Sequence, residues 1–147
     1  MSIIVAIILF YISIKDIQEY KIPNWCVFII ILIALYKYFF IKNDLNEFLI
    51  HLFIFIIVIF IGFLMFSINI WGAGDAKLIS VLVFFVDLHS LLLFFMYAFI
   101  FSLFLGIIYG IFNYYFGKKN KNEFSLKRKI PFAPGIFLSF VFVQLVS

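Results

Sequence analysis

Acidic residues are scarce, seven among 147, and six of them separate into two kinds. Asp44, Glu47 and Asp87 fall in polar breaks between apolar runs, and Glu123 lies inside a basic stretch, so these four read as solvated loop residues. Asp16 and Asp75 differ, because each stands where a polar break meets an apolar run. A carboxylate at the centre of a bilayer costs about 2.5–3.5 kcal/mol on insertion scales. Ionisable groups near membrane depth are therefore functional candidates by default. Two carboxylates held a few ångströms apart cannot both ionise cheaply, so one proton is shared between them. The ionised member can then take a proton from water while the neutral one hydrogen-bonds a scissile carbonyl and later protonates the leaving nitrogen. That is peptide-bond hydrolysis with neither a metal nor an organic cofactor.

A plainer reading stands beside this one. Asp75 can cap the helix it begins, and Asp16 can be an ordinary interfacial residue. Gly72 and Gly74 flank Asp75 and remove side chains where another backbone could approach closely, which a capping aspartate alone does not require. Other hydrolytic equipment is missing. No Gly-x-Ser-x-Gly elbow, His-Glu-x-x-His helix or Gly-x-x-x-x-Gly-Lys loop occurs. His51 and His89 fall at the far ends of apolar runs from the two aspartates and read as structural. The lone Cys26 excludes an intrachain disulfide and reads as a small buried hydrophobe.

The elements that must position these residues follow from composition. The chain is 67% hydrophobic, 23% aromatic and 12% charged, against about 25% charged in a soluble domain. A soluble enzyme is excluded, since so small a domain could not hide that much apolar side chain. Each span of a hydrocarbon core about 30 Å thick needs about 20 helical residues. Six apolar runs can be read, at 1–14, 25–41, 48–70, 71–86, 91–116 and 130–146, of which the first and fourth are short for a full span. Nothing alternates as a barrel strand would. The pattern predicts one all-α polytopic membrane domain over 1–147 with about six transmembrane helices.

The formal charge of +4 does not imply nucleic acid, because the basic residues sit between apolar runs and not along one face. If all six runs span, Lys15, Lys21, Lys77 and the six basic residues of 118–129 share one side, with Lys37 and Lys42 on the other. The positive-inside rule makes the first side cytoplasmic and puts both aspartates at that face. The basic loop reads as a topology determinant and a contact for anionic lipid. Lys77 reads as snorkelling to the interface.

Three blocks, in order along the chain, carry a resemblance. Asp16-Ile-Gln-Glu-Tyr-Lys-Ile22-Pro23-Asn24 resembles the first aspartate motif of the type IV prepilin peptidases. Gly72-Ala73-Gly74-Asp75-Ala76-Lys77-Leu78 resembles their Gly-x-Gly-Asp signature, which presenilin-type proteases share. Lys127-Arg128-Lys129-Ile130-Pro131-Phe132-Ala133-Pro134-Gly135 is similar to the proline-containing entry to their last helix.

The resemblance implies a membrane-embedded aspartic endopeptidase of the bacterial cytoplasmic membrane. It would remove the short basic leader from prepilins or pseudopilins at the cytoplasmic face, with catalytic roles at Asp16 and Asp75. Gly72, Gly74, Pro23 and Pro131 would support the site. The chain lacks the cysteine-bearing domain of bifunctional members, so it looks like the short form associated with Flp-type (tight-adherence) pili, without methyl transfer. Its first loop departs from the often arginine-rich pattern of relatives by reading Gln-Glu-Tyr.

Two other classes fit parts of the pattern. A small transporter or assembly subunit would carry its charges near midplane on broken helices, whereas both aspartates lie near one face. A signal-peptide-peptidase-like protease would share Gly-x-Gly-Asp but not the Ile-Pro-Asn block.

Overall fold

The computed structural model describes residues 1–42, 44–68, 71–116 and 131–146. The basic stretch 117–129, on which much of the charge argument rests, lies outside the described residues. Six α-helices follow one another: α1 (Ser2–Glu19), α2 (Asn24–Tyr36), α3 (Leu45–Ser67), α4 (Ala73–Leu82), α5 (Leu91–Phe116) and α6 (Ala133–Val146). A π-helical turn, Lys37–Lys42, extends α2, and 3₁₀ turns at Val83–Phe85 and Leu88–Ser90 join α4 to α5. No strand occurs among the described residues. The all-α polytopic fold expected from the sequence is the fold observed.

Three segments, 24–42, 45–67 and 88–112, are long and apolar enough to cross a membrane, with mean hydropathies of 2.0, 3.0 and 2.6. Their outer faces carry large apolar side chains with no protein cover, among them Phe53 at 66% and Leu103 at 61% exposure. Water would not tolerate so continuous an apolar surface, and lipid does. The other three helices are shorter or carry charge. In particular, α1 continues through the polar stretch as far as Glu19 instead of stopping at Ile14, so Asp16 sits in its last turn.

Side-chain pairs fix the directions of the helices. Tyr11 meets Trp25, and Phe10 meets Phe137, so α1 runs antiparallel to α2 and α6. His51 reaches Val86, while Gly62 lies against Ala76, which makes α3 and α4 antiparallel. A Cβ added to Gly62 would stand 2.6 Å from that of Ala76. On Gly135 it would stand 2.6 Å from the backbone nitrogen of Ser102, so α5 and α6 cross at a glycine too. Such small residues let helix backbones pack closely where lipid supplies no hydrophobic drive.

The fourth helix is the element most in need of support. Its 10 α-helical residues rise only about 15 Å, half of a hydrocarbon core. The apolar run reaches Val86, but the α-helix stops at Leu82 before tightening into the 3₁₀ turn. The carbonyls left over at that end are buried, and other helices claim them. Lys37 Nζ donates to Phe84 O at 3.0 Å and Tyr38 to the same oxygen at 3.4 Å. Gln144 Nε2 donates to Phe85 O at 2.8 Å, and His51 Nε2 lies 3.2 Å from Val86 O. An unsatisfied carbonyl in an apolar interior costs several kcal/mol. Three neighbours therefore cap α4 at the end opposite Asp75.

Candidate functional site

The last turn of α1 places Asp16 inside the bundle, where it is 5% exposed. Its Oδ2 accepts the backbone N–H of Ala133 at 3.0 Å, from a residue 117 positions away. Ala133 opens α6, and the first amides of a helix have no partner within it. The contact thus satisfies a buried carboxylate and an orphan donor together.

Asp75 is held differently. It is the third residue of α4, and its Oδ2 accepts the N–H of Gly72, the N-cap, at 3.2 Å. This is the backbone half of a capping box, so the plainer reading of Asp75 as a helix cap describes a real contact. The capping bond still leaves Asp75 half-buried and within electrostatic range of the Asp16 carboxylate. The fold brings together two aspartates that stand 59 residues apart in sequence, from the end of α1 and the start of α4.

The two glycines have distinct neighbours. A Cβ on Gly72 would meet Asp75 Oδ2 at 2.8 Å, so this glycine makes room for the aspartate's own carboxylate. A Cβ on Gly74 would meet Ile22 Cβ at 3.1 Å. The close approach therefore involves the α1–α2 connection and not the body of α1. That connection begins at Tyr20, whose φ of 53° is the one positive value among described non-glycine residues. Its N–H donates to Asp16 O at 2.9 Å, closing α1 with a left-handed residue where glycine is usual. The Tyr20 hydroxyl bonds the hydroxyl of Tyr109 on α5, which holds the turn in place.

Pro23 is the N-cap of α2, with φ −65° and ψ 122°, and half-buried. Asn24 accepts from Lys77 Nζ at 3.5 Å, so the Ile-Pro-Asn block lies against the helix that carries Asp75 at two points. Lys77 is exposed. Pro131 is buried but lies outside α6, whose N-cap side begins at Phe132; the proline inside its first turn is Pro134. The far-end histidine His51 is 1% exposed and bonds Glu47 O and Val86 O, away from both aspartates.

Ile22, Trp71 and Ala133 join the site without a role that their residue types announce in the sequence. Trp71 is 8% exposed and packs on Phe99 of α5 and on Phe132 ahead of α6, joining the entries of α4 and α6. An aromatic beside Gly-Ala-Gly-Asp was the available signal for it. The Ala133 contact is made by backbone, which no side-chain pattern reveals.

An all-α bundle with lipid-facing helices and paired carboxylates at one end defines a polytopic membrane protein. A family model described as the type IV leader peptidase family matches residues 3–111, and the chain belongs to that family. It is accordingly a membrane peptidase of the leader-peptidase kind. Comparison with curated proteins and with solved structures finds no match.

Proposed function

We propose that the chain is an aspartic endopeptidase that removes the leader from Flp-type prepilins or pseudopilins at the cytoplasmic face of the bacterial inner membrane. The observation that supports this reading is the placement of Asp16 and Asp75 at the same end of the bundle, within electrostatic range, in a chain of the leader-peptidase family. In the reaction, one carboxylate takes a proton from the attacking water while the other, protonated, donates a hydrogen bond to the scissile carbonyl. The proton returns to the leaving nitrogen as the tetrahedral intermediate collapses. The substrate chain reaches the pair beside the Ile22-Pro23-Asn24 connection. Gly72, Gly74 and Pro23 fix the pair's geometry there, and Pro131 fixes the entry to α6. Lys15, Lys21 and Lys77 at this end face the cytoplasm and anionic lipid.

The test is cleavage of a purified Flp-type prepilin by the full chain in liposomes, with the new N-terminus read by mass spectrometry. The reading predicts a single cut after a basic leader, lost in Asp16→Asn and kept in Asp44→Asn and Asp87→Asn. Cleavage by Asp16→Asn at the wild-type rate would remove the aspartic assignment. Cutting of unrelated membrane peptides but not the prepilin would remove the substrate assignment.

A further inference from the structure

Asp16 occupies an unfavourable place for a charge. It is buried, and it lies in the last turn of α1, where the helix dipole presents its negative end. Asp75 has compensation from its own helix, since it sits in the first turn of α4 and accepts the Gly72 amide. Asp16 finds nothing comparable in α1. Its hydrogen-bond partner is the amide of Ala133, first residue of α6, with the Phe132 amide acting beside it, and the positive end of that helix points toward it. This helix lies beyond residue 111, where the family match ends.

We propose that the main-chain amide of Ala133 is the positioning group for Asp16, holding its carboxylate in place, so that α6 is a working part of the peptidase site. The inference rests on the aspartic reading above. The bond ties Oδ2 to the entry of α6. Other titratable groups near Asp16 are few. Asp75 of α4 lies within electrostatic range, Lys77 of α4 meets Asn24, and Tyr109 of α5 meets Tyr20. Lys15 and Glu19 on α1 pair with each other at 2.6 Å, and α6 carries no titratable side chain over 133–146.

Proline is tolerated at the first position of a helix, so Ala133→Pro deletes the donor while sparing the rest of α6. Ala133→Gly keeps the donor. Both are assayed as full chains in liposomes against the same purified prepilin, across the acidic and neutral range and normalised to inserted enzyme. Ala133→Gly is expected within about twofold of wild type. Ala133→Pro is expected to lose about ten- to a hundredfold in kcat with KM little changed, the usual effect of losing a hydrogen bond to a charged group. The acidic limb of its pH profile moves to higher pH, because an unsupported carboxylate ionises less readily. A wild-type rate and limb in Ala133→Pro would overturn the inference. If Asp16→Asn is inactive in the same assay, the aspartic reading survives that result.

Should Ala133→Pro fail to insert, the amide itself decides. The alanines are Ala6, Ala34, Ala73, Ala76, Ala98 and Ala133, so the resonance lost from isotope-labelled alanine in Ala133→Gly identifies the amide. It is expected to shift with pH in the wild type and to move in Asp16→Asn but not in Asp44→Asn. An amide indifferent to both overturns the proposal.

Discussion

Polar side chains in this bundle are held by specific partners, and those partners separate the two ends of the molecule. At one end, Asp16 and Asp75 each take a backbone amide and lie within electrostatic range of one another. At the other, His51, Lys37, Tyr38 and Gln144 close the end of α4. The division predicts different phenotypes. His51→Ala opens a cavity and leaves Val86 O unpaired, at a cost of about 1–3 kcal/mol for the stranded group. Thermal unfolding in detergent should show this loss, while cleavage per inserted molecule stays near wild type. A loss of turnover without a loss of stability would instead tie His51 to the chemistry. Asp44 accepts from Asn46 and Glu47 as the cap of α3, and asparagine caps equally well. That makes Asp44→Asn a sound control.

Among the helices, the critical contacts fall where side chains are missing. Gly62 lets α3 meet α4 at Ala76, and Gly74 lets the Ile22 turn rest on α4 one residue before Asp75. Gly110 has open space around its Cα. Alanine at Gly110 is therefore expected to be neutral or to stabilise by about 0.5–1 kcal/mol. Valine at Gly62 should destabilise by about 1–3 kcal/mol through overpacking, both read from unfolding temperatures. Gly74→Leu must push Ile22 aside and displace Asp75. Because small misplacements of catalytic groups cost about a hundredfold, its activity should fall far more than that of Ala73→Ser and more than its own protein level. Equal activity in the two variants would show that the Ile22 contact does not set the site.

Across the whole molecule, the alternation of helix direction gathers the end of α1, the start of α4 and the start of α6 at one face. Cysteine labelling in a Cys26→Ser background should place Gln18→Cys on the cytoplasmic side and Leu45→Cys on the outer side; the reverse would invert the proposed orientation. Much of this was legible in the sequence. The six apolar runs became six helices because lipid leaves the backbone no other open-ended way to satisfy itself. Asp16 and Asp75 stood out because charge is scarce in such runs. The extension of α1 to Glu19 was not legible, since Lys15 to Glu19 reads as a polar break until the helix is seen to carry it with a Lys15–Glu19 pair. Nor was the neighbour of Gly74, because an absent side chain does not name what fills its place. The tie from Asp16 to Ala133 runs through a backbone amide that every non-proline residue possesses. The central claim is that Asp16 and Asp75 work as one unit, and the cleavage rates of Asp16→Asn, Asp75→Asn and the double variant test it most directly. Residues acting as a unit are strongly non-additive, so each single variant should be as inactive as the double, at normal levels of inserted protein. A single variant that cleaves at the wild-type rate, or two partial losses that simply multiply in the double, would contradict the pair.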